Sequence, residues 1–370
     1  MNSVNQPRVT FLIESLSIGG AERVVCNLAN EFDKNGWSVD VIVTSDGGPM
    51  EKDLRKTVDI IKLSSTRTLA SFPYMVRYIQ KNRPKALISN LTHINVIAAL
   101  AVRISRVETS LAVVEHNVLS DRIKQISGNK ELLTAKIARY VYPYADAIIA
   151  VSDGTADDIA QVTGIDRSAI STVYNPIVSD DLVKQANEPV SHPWFSENIP
   201  IILGVGQLSE QKNFSLLIRA FDSVIQKRNA RLIIIGEGDD VDKLKLLASE
   251  LCIDNYVDFL GYVDNPYKYM HHADVFVLSS SWEGFGNVIV EALACGTPVV
   301  STDCESGPAE ILENGKWGKL TPVGDAKKMA ASIIETLSES TDEDRLRQRA
   351  TDFSTKSAYR EYIELLSLSN

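Results

Sequence analysis

The chain has 370 residues, 44% hydrophobic and 23% charged, which is enough for two domains with separate cores and ordinary for globular protein. The net charge of −10 argues against nucleic-acid binding, and no apolar run approaches the roughly 18–20 residues that span a bilayer. The charge is uneven: residues 1–176 hold 20 Lys and Arg against 18 Asp and Glu, a net +2, and the remainder holds 18 against 30, a net −12.

In chain order, Val9–Ile13 is too short for a signal-peptide core and is expected to be a strand. A helix from Ala21 to Lys34 places Val24, Val25, Leu28 and Phe32 on one stripe and stops at Asn35-Gly36. Strands are expected at Val39–Val43, Ile60–Leu63, Ala86–Ile88, Leu111–Val114, Ala147–Val151 and Thr172–Val173. The rhythm restarts at Ile201–Val205, Arg231–Ile235, Val257–Leu260, Val275–Leu278, Pro298–Ser301 and Lys319–Thr321. Strands alternating with helical runs indicate parallel α/β units. The divisions expected are an N-terminal domain over 1–178, a Pro-containing polar linker over 179–199, a C-terminal domain over 200–353 and a final amphipathic helix within 354–370. Lys52 to Lys85 holds nine basic residues and two acidic ones. Within it Phe72, Tyr74, Met75 and Tyr78 alternate with Arg77, Lys81, Arg83 and Lys85, which suits either contact with an anionic membrane or a helix packed on a sheet. Cys26, Cys252, Cys295 and Cys304 show no paired spacing, so buried thiols in a reducing compartment are expected. The expected location is cytoplasmic, possibly peripheral on the cytoplasmic face of a membrane.

In parallel α/β sheets, ligands sit beyond the carboxyl ends of the strands. Five glycine-rich or polar segments fall there: Gly19-Gly20, His116, Gly204 onward, Gly236 and Glu283. They define one expected cleft between the domains. The densest is Ser280-Ser-Trp-Glu-Gly-Phe-Gly-Asn287, which precedes a helix expected over Asn287 to Cys295. Gly284 and Gly286 leave room for a ligand, and the helix opens with free N–H groups and a partial positive charge. Glu283 and Glu291, eight positions apart, flank that anion site. A diphosphate there, with carboxylates accepting from hydroxyls on either side, describes a nucleotide-sugar.

Glu283-x7-Glu291 followed by Ala292-Leu-Ala-Cys-Gly-Thr-Pro-Val-Val300 resembles the signature of the retaining glycosyltransferases of family 4. So do Ser17-Ile-Gly-Gly-Ala-Glu22, Glu115-His116-Asn117, Gly204-Val-Gly-Gln-Leu-Ser-Glu-Gln-Lys-Asn213 and Gly236-Glu-Gly-Asp239. The resemblance implies the GT-B fold, two Rossmann-like doubly wound domains facing across a cleft. It implies transfer of a hexose or N-acetylhexosamine from a UDP-sugar to a glycan or lipid-linked oligosaccharide, in cell-surface polysaccharide or glycoconjugate assembly. The catalytic residues implied are His116, which donates to a sugar hydroxyl, Glu283 on the sugar ring, and Lys212 on the leaving diphosphate. The donor site implied adds Gly19, Gly20, Gln207, Gly236, Val263, Gly284, the amides of Phe285 to Val288 (Phe285, Gly286, Asn287, Val288), and Glu291 on the ribose. His93 and Asn117 are implied near the acceptor. Gln207 stands where most members carry Arg. No cofactor is expected, the nucleotide-sugar being a substrate, and no metal: Asp240-Val-Asp242 is read as helix capping. The alternatives are a partner subunit that binds nucleotide-sugar without transfer, and an epimerase of related fold.

Overall fold

Val, Ile and Leu runs bounded by turn formers become strands buried on both faces, as parallel sheets require. In the computed structural model, which describes residues 6–63, 71–125 and 129–368, the chain divides into two units. One comprises Met1–Ile177 with Ser354–Asn370, the other Val178–Phe353.

The first unit holds β1 (Arg8–Ile13), β2 (Ser38–Val43), β3 (Asp59–Lys62), β4 (Ala86–Asn90), β5 (Ser110–Glu115), β6 (Ala147–Ala150) and β7 (Ile170–Thr172), in the order β3-β2-β1-β4-β5-β6-β7. The second holds β8 (Ile201–Val205), β9 (Arg231–Ile235), β10 (Val257–Gly261), β11 (Val275–Leu278), β12 (Val299–Thr302) and β13 (Lys319–Thr321), in the order β10-β9-β8-β11-β12-β13. Every pairing is parallel; Val9 aligns with Val39 on one side and Ala86 on the other, and Ile202 with Leu232 and Val275. The winding direction reverses between β1 and β4 and again between β8 and β11, the two crevices where such sheets bind ligands. Each expected strand has a counterpart with ends within two residues, and the helix Asn287–Cys295 spans its expected residues.

The expected linker differs. Residues 179–199 contain the helix Asp180–Ala186, whose cap Ser179 accepts from the Leu182 N–H at 3.2 Å, and a turn over Pro193–Ser196. Both belong to the second unit. His192 Nε2 lies 2.9 Å from Asp258 Oδ2, and the Arg231 guanidinium lies 5.0 Å from the Trp194 ring centroid. These two aromatic side chains and the Ser-Asp-Asp cap anchor a segment whose prolines read as a spacer.

The last helix, Thr355–Leu365, packs on the helix Gly20–Lys34 within the first unit. Phe32 makes edge contacts with Phe11, Trp37 and Tyr359 at centroid distances of 5.7, 5.6 and 4.8 Å. Trp37 Nε1 donates to the Tyr359 hydroxyl at 3.1 Å, and Thr355 Oγ1 to buried Glu31 at 2.9 Å. Cys26, Cys295 and Cys304 are buried as expected, but Cys252 is exposed just past the helix Val241–Glu250.

Of the two readings of residues 52–85, of which 64–70 lie outside the described residues, the helix Phe72–Asn82 shows the packing on the sheet. Met75, Tyr78 and Ile79 are buried in the core of the first sheet. The Tyr78 hydroxyl reaches Thr10 at 2.8 Å and donates to Asp40. Of the aromatic residues thought to meet lipid, Tyr74 alone is exposed. The apolar face of this helix serves the sheet, and its basic residues form a solvated rim.

Trp37 is the single tryptophan of the first unit, so its fluorescence reports this docking. Tyr359→Phe, which removes one hydrogen bond, should destabilise the unit by about 1 kcal/mol. Tyr359→Ala, which also strips the ring from Phe32, should cost roughly 2–4 kcal/mol. Equal stability of both variants and the wild type in urea titration would show that the last helix contributes nothing through this contact.

Candidate functional site

In the second unit, β8 and β11 are neighbours, so the loops that leave their carboxyl ends are adjacent. Four hydrogen bonds join them. Ser279 Oγ donates to the Lys212 carbonyl at 2.8 Å and the Ser281 N–H to the Gln211 carbonyl at 2.8 Å. Gln211 Nε2 donates to the Trp282 carbonyl at 3.1 Å, and Asn213 Nδ2 reaches Ser281 Oγ at 3.3 Å. Asn213, in the left-handed region at φ +46°, caps the next helix, Phe214–Ile225. This places Lys212 Nζ 2.5 Å from Glu283 Oε1, which also accepts from Ser280 Oγ at 2.6 Å. Glu283 is only 5% exposed, where an unpaired carboxylate is costly and a paired one tolerable.

The helix Asn287–Cys295 begins at Gly286, whose φ of +100° suits glycine, and carries no acid in its first turn. Its N-terminal N–H groups thus face the loop of Glu283 with a positive dipole end. Glu291 is the one acid inside it and is buried among Ile289, Val290, Ala292 and Leu293. Gly236, after β9, is needed for a close approach: a Cβ there would stand 1.9 Å from the Gly206 carbonyl oxygen. Gly236 N–H donates to the Gly261 carbonyl at 2.9 Å, and Gly206 N–H to the Ile235 carbonyl at 3.0 Å. The chain after β8, β9 and β10 is thereby gathered, with half-buried Val263 just beyond. Gln207 is exposed in the same loop as Lys212. Cys304, after β12, was not read as a site residue, yet its thiol is pushed up to about 12 by burial and then by the charge of Glu283. Ser280 was also missed; a hydroxyl three residues before Glu283 was the available signal.

Asp240 occupies the N-cap of the helix Val241–Glu250 but makes no side-chain capping bond; it lies 3.8 Å from Lys243 Nζ. Among the described residues no group of three His, Cys, Asp or Glu side chains is placed to hold a metal.

In the first unit, β4 and β5 end in Asn90 and Glu115. Asn90 Nδ2 faces the carbonyls of Leu12 and Ile88 at 3.2 and 3.3 Å, which turns Oδ1 toward His116 Nε2 at 2.8 Å. Nε2 therefore carries the proton and Nδ1 is a bare acceptor. Nδ1 is buried and without a partner among the described residues, and burial lowers the ring's pKa to about 4. With this tautomer His116 is a neutral acceptor at its open nitrogen, where the resemblance implies a donor. Asn90, a polar residue ending an apolar strand, was missed. Glu115 does not face outward beside it: its carboxylate accepts from Thr92 Oγ1 at 2.8 Å, Asn95 Nδ2 at 3.1 Å and the Tyr142 hydroxyl. His93 Nε2 lies 3.4 Å from Glu14 Oε2 past β1, and Asn117 is half-buried after β5.

Gly19 and Gly20 open the helix Gly20–Lys34, but the Glu22 side chain folds back over them. A Cβ on Gly19 would meet Glu22 Oε2 at 2.3 Å, and Ser17 Oγ reaches Glu22 Oε1 at 3.5 Å. Burial raises the pKa of Glu22, with Glu14 adding to it. A phosphate approaching Gly19–Gly20 meets this carboxylate first.

Residues 190–353 match the model of the glycosyl transferases group 1, and residues 18–181 that of glycosyltransferase family 4. An uncharacterized glycosyltransferase of Methanocaldococcus jannaschii is 33% identical over 67% of this chain and 71% of its own. The N-acetylgalactosamine-N,N'-diacetylbacillosaminyl-diphospho-undecaprenol 4-alpha-N-acetylgalactosaminyltransferase of Campylobacter jejuni is 29% identical over 92% of both chains. The solved structure of the Anabaena protein HepE in complex with UDP and glucose has a TM-score of 0.80 at 23% identity, covering 98% of this chain and 100% of that one. Both halves of the chain match, and the sheets, the helix Asn287–Cys295 and the neighbouring loops stand as described: the chain belongs to the GT-B glycosyltransferases of family 4.

Proposed function

We propose that the chain moves a hexose or N-acetylhexosamine from a UDP-sugar to a glycan or lipid-linked oligosaccharide, with retention at the anomeric carbon and without a metal ion. The observation that carries this reading is the pair of half-buried Lys212 and buried Glu283, 2.5 Å apart, beside a helix N-terminus free of acids in its first turn. The helix N–H groups and Lys212 together present positive charge to a leaving diphosphate. Glu283 and Glu291 accept from sugar and ribose hydroxyls. The UDP and glucose in HepE, and the diphospho-undecaprenol in the Campylobacter enzyme's name, support the donor and acceptor classes.

In this reading the bond from the anomeric carbon to the β-phosphate oxygen breaks as the acceptor oxygen bonds the same face of that carbon. The acceptor proton passes to the departing phosphate, so no protein base is needed. Catalysis then rests on positioning and on stabilising the diphosphate charge. Neutral His116 accepts a hydrogen bond from a hydroxyl of the transferred sugar through Nδ1. Mass analysis of products from UDP-sugars and lipid-linked oligosaccharides tests the whole; hydrolysis of no UDP-sugar and transfer to no acceptor would refute it.

Three further outcomes are expected. In calorimetric titration with UDP alone, Glu291→Ala should weaken binding by about 1.5–3 kcal/mol, the value of a charge-assisted bond, while Glu283→Ala should lower sugar transfer and leave UDP affinity nearly unchanged. Equal loss in both variants removes the assigned roles. Transfer should survive EDTA, since Lys212 and the helix N–H groups supply the positive charge; loss on chelation, with recovery in magnesium or manganese, would instead implicate a cation.

The third concerns His116. Its pKa lies below the ordinary 6.5, at about 4, so between these values the folded chain binds fewer protons than the unfolded chain. Stability should therefore be full above pH 6.5 and fall as pH drops toward 4, by up to about 1.4 kcal/mol per pH unit from this residue. His116→Gln should flatten that slope in thermal unfolding. An unchanged slope would place the proton elsewhere.

A further inference from the structure

Six of the thirteen exposed large hydrophobic side chains among the described residues gather on one surface of the first unit. They are Ile104 at the end of the helix Thr92–Ser105, Leu132, Leu133, Ile137 and Tyr140 on the helix Asn129–Val141, and Tyr144 in the turn after it. Leu133, Ile137 and Tyr140 follow at intervals of four and three on the helix, the spacing of one helix face. The face opposite, through Ala135, Ala138 and Val141, is buried against the helices Thr92–Ser105 and Asp153–Thr163. This helix is therefore apolar on its inner and its outer side, although Leu133 is 57% and Tyr140 72% exposed. A surface helix ordinarily presents polar residues outward, and a contiguous apolar patch marks a contact.

Cations border the patch. Arg103, Arg106, Lys136 and Arg139 are exposed, and the Arg103 guanidinium lies 4.2 Å from the Tyr144 ring centroid. Among the described side chains, Glu108 and Asp146 are the exposed acids nearest in sequence, and Asp146 accepts from the Leu111 N–H at 2.8 Å.

We propose that this face lays the first unit on an anionic lipid bilayer. Aliphatic tips enter the acyl boundary, tyrosine rings with polar ends sit at the headgroup level, and Arg and Lys reach the lipid phosphates on long stems. Pairing with a second copy through this face about a two-fold axis would set the same four cations against one another. The helix Phe72–Asn82 lacks the apolar half of such a surface. The purpose of the contact, delivery to a lipid-linked acceptor, rests on the function proposed above; the contact does not.

The test is flotation of the full chain, without donor or acceptor, on vesicles of phosphatidylethanolamine with phosphatidylglycerol and on vesicles of phosphatidylcholine alone. Binding is expected to the first and not the second, weakening with salt. Partitioning should fall by about tenfold or more in the Leu133→Ser, Ile137→Ser, Tyr140→Ser variant and in the Lys136→Glu, Arg139→Glu variant. Arg77→Gln with Lys81→Gln should leave it unchanged. Circular dichroism melting checks folding, and if the apolar variant fails to fold, the charge-reversed pair decides alone. The proposal falls if the wild type does not float at low salt, if it floats equally on phosphatidylcholine, if the folded variants float as the wild type does, or if the Arg77 and Lys81 changes abolish binding. It falls also if sedimentation shows a dimer that the apolar changes dissolve while vesicles bind neither form. Flotation that fails while sugar transfer proceeds removes this surface and leaves the proposed activity standing; flotation with no transfer does the reverse.

Discussion

A carboxylate that is 5% exposed sits 2.5 Å from a lysine amine, and two loops of the second unit are arranged around that pair. Glu283 comes from the loop after β11 and Lys212 from the loop after β8, so the pair exists because those strands are neighbours at the point where the sheet reverses its winding. Removing Lys212 would leave the buried Glu283 carboxylate without its cation, a cost on the order of 3–5 kcal/mol, whereas Lys212 is partly exposed and can be solvated. The hydrogen bonds among Ser279, Gln211, Asn213 and Ser281 hold the two loops together. In the proposed reading, a diphosphate at the helix Asn287–Cys295 would meet Lys212 and a positive dipole end in a partly desolvated site, where such contacts are strengthened.

The first unit solves a different problem, placing a neutral imidazole at the end of a buried strand. Asn90 directs its oxygen at His116 because its amide hydrogens face two main-chain carbonyls. Glu115, next in the chain, turns inward to three donors and keeps the strand end rigid. His116 can then accept but not donate at its open nitrogen, and burial keeps it uncharged across the physiological range. A sugar hydroxyl, able to donate or accept, is compatible with that arrangement; a second cation is not needed.

The two glycine-rich helix openings, similar on paper, are electrically unlike. The helix Asn287–Cys295 has no acid in its first turn, whereas Glu22 folds over Gly19 at the head of Gly20–Lys34. Anion affinity at a helix end depends on what else occupies it, which is why the diphosphate site is proposed in the second unit.

The strand rhythm, the two-sheet division, the helix Asn287–Cys295 and the residues Lys212, Glu283, Glu291 and His116 were legible in the chain, because strand and helix periodicity and glycine-bounded loops are local properties. Family resemblance added the roles proposed for them. Tertiary structure decided what depends on partners distant in sequence: Lys212 meets Glu283 across 71 positions, Asn90 orients His116 across 26, and Tyr359 meets Trp37 across 322. It also decided which amphipathic helix keeps an apolar face outside. Phe72–Asn82 reads as a lipid-facing helix but gives Met75 and Tyr78 to the sheet, while Asn129–Val141 leaves Leu133, Ile137 and Tyr140 in solvent. Periodicity states that a helix has an apolar side; only the packing of its neighbours states whether that side is covered.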